Sequence, residues 1–248
     1  MKRVVFIIVI AIFAASLQLS AQRKVSFLSS DGLEITADLY LHDRGAPYII
    51  LLHMENSSRG EYREIAPKLN KMGFNCLAID LRSGKESNFV QNETAAIAQK
   101  NNFPNTLLDC EKDIIAAIDY IKKTSVNHRC ILFGSCFSAS LAMKIANQNR
   151  IITAVIAFSP GEYFNPVTVK DWLIDYNQLT FITSTTREQP FVTELLSDIP
   201  QHFITRYQPA EGGIQGAPAL WNDNPRASEI WMSLMMFINK VRKEKYYL

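Results

Sequence analysis

At 248 residues, 48% hydrophobic and 20% charged, the chain has the composition of a globular protein and ample length for one domain's core. A formal net charge of +2 gives no reason to invoke nucleic acid or an anionic membrane surface. Four cysteines with no C-x-x-C pair match neither a small disulfide scaffold nor a zinc site, so buried free thiols are expected, with no metal or cofactor.

Residues 1–21 read as a targeting leader, with Lys2 and Arg3 ahead of an apolar run over 4–17 and a small-residue exit at Leu19-Ser-Ala21. The run is short for a membrane span, and an uncleaved anchor is the alternative. No cysteine follows it to suggest a lipid-modified terminus. The expectation is export, to a bacterial periplasm, with Gln22 opening a single domain over 22–248 that keeps no stable membrane association after cleavage.

In chain order, residues 24–30 and 33–41 alternate around Asp31-Gly32, a hairpin signal. Residues 47–53 are almost continuously apolar, as in a strand buried on both faces. A loop over 54–63 leads to a short helix over 65–72, with Pro67 in its first turn and Gly73 ending it. A strand over 74–79 precedes a mostly polar stretch, 85–105, with one helix around 94–100. Leu107, Cys110, Ile114, Ile118 and Ile121 mark a longer helix by their apolar stripe. Strands at 130–133, 151–158, 179–184 and 202–206 follow, with a helix near 192–197. After a loop over 207–223, a last helix shows Ile230, Leu234, Phe237, Ile238 and Val241 to the core, and its basic end complements the helix dipole. Strands alternating with helices predict an α/β protein with a mostly parallel sheet covered on both faces. No repeat or linker marks a second domain, and no segment between Gly161 and Leu179 is large enough for a separate lid.

The chemistry centres on Gly134-Ser135-Cys136-Phe137-Ser138, between an apolar strand and an amphipathic helix carrying Leu141, Ile145 and Ala146. Strand, sharp turn and helix in this order are the context of a nucleophile elbow, usually G-x-S-x-G. Cysteine stands here at the nucleophile position, and serine replaces the second glycine. The plain alternative is a buried cysteine at an ordinary strand-to-helix turn.

These residues resemble the α/β-hydrolase fold in its dienelactone-hydrolase-like branch. The resemblance runs through Leu51-Leu-His53, Ser57-Ser-Arg-Gly-Glu-Tyr62, Ala78-Ile-Asp-Leu-Arg82, the elbow, Ser159-Pro-Gly-Glu-Tyr-Phe164, Phe181-Ile-Thr-Ser184 and Gln215-Gly-Ala-Pro-Ala-Leu-Trp221. It implies a sheet of about eight strands with no large lid, and a triad ordered nucleophile, acid, histidine. Dienelactone hydrolases carry cysteine as nucleophile, which fits Cys136, although proteins resembling the full pattern mostly have serine there. The acid position offers only Glu188, whose plain alternative is an exposed carboxylate at a helix start. The segment that should open with histidine opens with Gln215. The four histidines do not repair this: His42, His128 and His202 lie at the wrong places, and His53 ends a strand where relatives use a structural histidine. The oxyanion hole would use the Phe137 N–H together with that of Glu55 or Met54. An inward Glu55 carboxylate would oppose the charge such a hole stabilises; it could also bond the Cys136 thiol, or point outward.

Glutamine has no titrating proton, so Gln215 cannot serve as base. A thiol depends on a base less than a hydroxyl does, and a helix N-terminus should lower its pKa, so Cys136 is expected to be exposed and the most reactive of the cysteines. Two readings stay open. One is weak or absent ester or lactone hydrolysis by Cys136, with Glu55, Glu188 or His53 as substitute base. The other is a non-catalytic pseudohydrolase that binds a small ester-like molecule or a protein; oligomeric state is not legible.

Overall fold

A computed structural model describes residues 22–244; the leader expected over 1–21 lies outside them. Strands β1 (Gln22–Leu28) and β2 (Glu34–Tyr40) pair antiparallel around Gly32, whose φ of 86° suits a residue without a Cβ. Next come β3 (Tyr48–Leu52), helix α1 (Ala66–Lys71), β4 (Asn75–Ile79), and the two-residue strands β5 (Glu86–Ser87) and β6 (Val90–Gln91). They are followed by α2 (Glu93–Lys100), α3 (Cys110–Thr124), β7 (Cys130–Ser135) and α4 (Phe137–Gln148). β8 (Ile152–Phe158), α5 (Val169–Trp172), β9 (Leu179–Thr183), α6 (Gln189–Leu195), β10 (Ile204–Tyr207) and α7 (Ala227–Lys243) complete the order. The main sheet is eight-stranded, in the order β1-β2-β4-β3-β7-β8-β9-β10, with β1 and β2 antiparallel to their neighbours and the other pairs parallel.

Every residue of β3, β4, β7, β8 and β9 is buried, as parallel strands sandwiched between helices must be. Alternate side chains feed two cores. Ile50, Leu77 and Val155 side with Ile114 of α3, Leu141 of α4 and Val192 of α6. Phe133, Ile156 and Phe181 side with Leu69 of α1 and with Leu234 and Phe237 of α7.

Several boundaries differ from the sequence expectation for local reasons. The polar stretch contains the small hairpin of β5 with β6, turned by Asn88 and Phe89 at positive φ. It shows no apolar alternation, so no periodicity could reveal it. α3 starts at Cys110 rather than 107, because Thr106 and Asp109 close on each other just before it, Thr106 Oγ1 donating to Asp109 Oδ2 at 2.6 Å. β10 begins at Ile204, after a 3-10 turn over Gln201–Phe203. A 3-10 turn over Arg59–Tyr62 occupies the expected loop after β3. Asp80 holds that turn, accepting the Arg59 N–H at 2.8 Å and its guanidinium at 2.5 Å.

Arg82, with no exposed surface, lies just beyond β4. It donates to Asp113 Oδ1 at 2.7 and 3.0 Å and to Asp31 Oδ2 at 2.7 Å, tying α3 and the first hairpin to the end of β4.

The strand order sets the site. From β3 the chain passes to β4 on one side of the sheet, then to β7 on the other. The connections leaving the carboxyl ends of β3 and β7 therefore diverge and leave a crevice between them. Register aligns those ends, since Leu52 pairs with Gly134, Ser135 with Phe158, and Phe158 with Thr183. The residues that follow each strand gather at one edge.

Candidate active site

Cys136 is the turn residue between β7 and α4, at φ 56° and ψ −119°. Such a conformation costs a residue with a Cβ about 1–3 kcal/mol and persists where its surroundings fix it. Three features fix it here. The Cys136 N–H donates to Phe158 O at 2.8 Å. A Cβ on Gly134 would collide with the backbone of Ala139, so only glycine lets α4 pass this close to β7. Ser138, in place of the usual second glycine, accepts the Ser135 N–H at 2.9 Å and lies 2.8 Å from Leu52 O. Its hydroxyl thus stitches the elbow to the end of β3.

Glu188 precedes α6. Its Oε2 accepts the Ser159 hydroxyl, the Thr185 N–H and the Thr185 hydroxyl, each at 2.9 Å. Its Oε1 accepts Gln215 Nε2 at 2.8 Å. Both oxygens are thus engaged by Ser159, Thr185 and Gln215, none of them the sulfur. Ser159, at φ 54°, also accepts the Gly216 N–H at 3.1 Å and so joins the carboxylate to the Gln215 loop. Gly216, at φ 71°, leaves no room for a side chain, because a Cβ there would strike Ser135 Oγ and come to 3.4 Å of Cys136 Sγ.

Cys136, Phe137, Met54, Glu55, Asn56, Tyr163 and Gln215 line one pocket of about 220 Å³. An adjoining hollow of about 350 Å³ is lined by Tyr163 and Glu188 together with Phe191, Val192 and Leu195. Tyr163 donates its hydroxyl to Ser159 O at 2.9 Å, and the same group neighbours Cys136 and Gln215.

Three expectations need correction. The first concerns the thiol: Cys136 is only 5% exposed, and burial, followed by the charges of Glu61 and Glu188, pushes it up to about 12. Desolvation outweighs the helix N-terminus that was expected to favour thiolate. The second concerns His53, which is fully buried, its Nδ1 bonded to Met54 O at 2.7 Å and its Nε2 accepting the Leu81 N–H at 2.9 Å. Burial lowers it to about 4, so it is a neutral strut with both nitrogens occupied rather than a base. The third concerns Met54, whose N–H already donates to Glu61 Oε2 at 3.0 Å and is therefore not free for an oxyanion. The Glu55 side chain is exposed at the pocket.

Sequence reasoning passed over Ser135, Ser159, Tyr163 and Glu61 as individual participants. Ser159, Tyr163 and Glu61 stood in matching segments with nothing to mark their bonds. Among the described residues no cluster of His, Cys, Asp or Glu is arranged to hold a metal ion, and the four cysteines are unpaired.

Iodoacetamide at neutral pH followed by peptide mapping checks the thiol. Cys136 should label first, and slowly, because Cys76, Cys110 and Cys130 have no exposed surface and burial raises their thiols too. Prior labelling of any of those three would contradict the burial that shields them.

The sheet order, the elbow and the residues gathered beyond the strand ends define an α/β-hydrolase fold. Residues 40–210 match the model of the dienelactone hydrolase family, and the chain belongs to that family. Among solved structures, Est1E from Butyrivibrio proteoclasticus aligns with a TM-score of 0.66 at 15% identity over 90% of this chain and 100% of its own. The Pyrococcus furiosus esterase Pf2001 aligns at 0.63 and 16% identity, covering 87% and 90% of the two chains. A dienelactone hydrolase from Anabaena variabilis aligns at 0.62 and 15%, covering 92% and 98%. At these identities the likeness is one of fold. No curated protein matches the sequence.

Proposed function

We propose that the chain is a thiol-dependent carboxylic-ester or lactone hydrolase of low turnover, taking an acyl group onto Cys136 and releasing it slowly. The bond from Gln215 Nε2 to Glu188 Oε1 carries this reading. It puts an amide where an imidazole would otherwise link acid to nucleophile, while the elbow and carboxylate keep the arrangement an imidazole would need. In the forward step the sulfur attacks the ester carbonyl, and the Phe137 and Glu55 N–H groups receive the developing oxyanion. The thiol proton ends on the alkoxide, which departs as the alcohol of an ester or stays as the free hydroxyl of an opened lactone, and a thioester remains. Water then needs a base to attack that thioester, and an amide supplies none. The adjoining hollow, with Phe191, Val192 and Leu195, suits the apolar part of such a substrate. The reading includes export by the leader over residues 1–21.

The buried, weakly acidic thiol favours a second reading, a non-catalytic binding module for an ester-like molecule. p-Nitrophenyl acetate separates the two. A low-turnover hydrolase gives a burst of nitrophenolate of up to one equivalent, with one acetyl group on the Cys136 peptide in the mass spectrum. No burst and no acetyl thioester would leave the binding module standing.

A further inference from the structure

The pocket holding the thiol and the hollow beside it are separate spaces, and one side chain stands between them. Among the described residues Tyr163 alone lines both the pocket of about 220 Å³ around Cys136 and the hollow of about 350 Å³ beyond it. The hollow offers an occupant the apolar side chains of Phe191, Val192 and Leu195. Its charged groups are engaged elsewhere. Glu162 accepts the Val169 and Lys170 N–H groups at 2.5 and 3.0 Å, and Lys170 Nζ donates to Glu194 Oε1 at 2.9 Å. Glu188 is held by Ser159, Thr185 and Gln215.

The dividing ring is fixed at several points. Its hydroxyl donates to Ser159 O at 2.9 Å. The ring lies against Gly161, where an added Cβ would come to 3.2 Å of it, so the close approach depends on glycine. Gly161 is in turn bound to α4. Its N–H donates to Ser140 Oγ at 3.0 Å, and that hydroxyl donates to Gly161 O at 2.7 Å. On the other side of Tyr163, Phe164 packs against Phe137 and Trp172, with ring centroids 6.4 and 5.1 Å apart. Glu162 ties the same segment to the start of α5. Moving the ring therefore means breaking the Ser159 bond while the backbone on both sides stays in place.

We propose that Tyr163 is the specificity-determining residue of this site, a fixed wall that confines the acyl group to the thiol pocket. The proposal deepens the hydrolase reading and rests on Cys136 being the acyl acceptor. It names the preferred substrates as esters of short, unbranched acyl groups, acetyl to butanoyl, and small lactones. The walls of the hollow suit an apolar chain, and Tyr163 decides how much of one arrives from the thiol. A longer acyl chain either stays in water, forgoing burial of its methylenes, or displaces the ring at the expense of the Ser159 bond. Each course slows its transfer relative to acetyl. With the ring removed the two spaces become one, and the same chain gains Phe191, Val192 and Leu195 as neighbours. Tyr163 thus acts on the choice of substrate and on no bond that forms or breaks.

The experiment compares burst rates with p-nitrophenyl acetate and p-nitrophenyl hexanoate, each corrected for its reaction with hydroxide. The acyl group on the Cys136 peptide is read by mass. Wild type should acylate about 10-fold more slowly with hexanoate. Tyr163→Ala should raise the hexanoate-to-acetate ratio by about 10- to 10²-fold, the effect of admitting a few methylenes to an apolar pocket. Tyr163→Phe keeps the ring and should keep the wild-type ratio, whatever loss of the hydroxyl does to the separate rates. Adding Phe191→Ala to Tyr163→Ala should reverse part of the gain, and at 75% exposure Phe191 is no part of the core. A Tyr163 that is merely structural would lower both rates together and leave the ratio unchanged, and that result overturns the proposal. A wild type that takes hexanoate as fast as acetate overturns it too, even if Tyr163→Ala does not fold. An acetyl thioester without chain-length preference removes this proposal alone. No acyl thioester with either ester removes the hydrolase reading and this one together.

Discussion

Gln215→His is expected to raise p-nitrophenyl acetate turnover by about 10²- to 10⁴-fold, the range contributed by a positioned general base. The new side chain inherits a prepared position. Glu188 Oε1, which now accepts Gln215 Nε2 at 2.8 Å, would accept an imidazole Nδ1–H instead and so fix the tautomer whose Nε2 faces the sulfur. Ser159 and Thr185 already hold the other carboxylate oxygen, so the acid needs no rearrangement. Cys136→Ser alone should be inert, because serine without a base has almost no alkoxide. Cys136→Ser with Gln215→His should exceed that single variant. Steady-state rates for the four proteins, corrected for reaction of the reagent with other nucleophiles, decide the matter. A wild type that already turns over many equivalents and loses activity on Gln215→His would mean that the amide itself serves the reaction.

Asp113→Ala is expected to lower the unfolding free energy by about 3–5 kcal/mol, the cost of leaving a buried cation without its partner. Arg82 has no exposed surface, and Asp113 receives two of its side-chain donors as well as its backbone N–H at 2.8 Å. Asp31 would remain as a counter-charge, but it is less buried and belongs to the hairpin rather than to α3. Urea denaturation of the variant against wild type measures the difference. A loss below about 1 kcal/mol would place Asp113 among the weakly coupled surface pairs instead.

The fold was legible because parallel strands announce themselves. The runs ending at Leu52, Ile79, Gly134 and Phe158 are apolar almost without a break, as a sheet covered on both faces requires. The places of Cys136, Glu188 and Gln215 were legible for a related reason. Each follows the carboxyl end of a strand, and register carries those ends to one edge, Tyr207 of β10 pairing with Thr183 of β9. What stayed hidden depends on environment rather than pattern. A cysteine opening a helix suggests a stabilised thiolate, and nothing in the letters shows that burial and the negative charges of Glu61 and Glu188 act against it. Glu61 itself looks like one more charged loop residue until Trp221 Nε1 is seen to bond its backbone oxygen at 2.8 Å, drawing a segment far along the chain over the turn. Ser159 owes its place to a positive φ that no local sequence rule would assign to serine.

The bond between Gln215 and Glu188 has a genetic reading. Glutamine and histidine share the first two bases of their codons and differ in the third. The amide and imidazole forms of this site are therefore neighbours in mutational space, separated by a single nucleotide substitution at residue 215. Because Glu188, Ser159, Thr185 and Gly216 already stand around that position, such a change meets a site whose other parts need no second mutation. A random library of this gene would sample that imidazole among its earliest single-base variants.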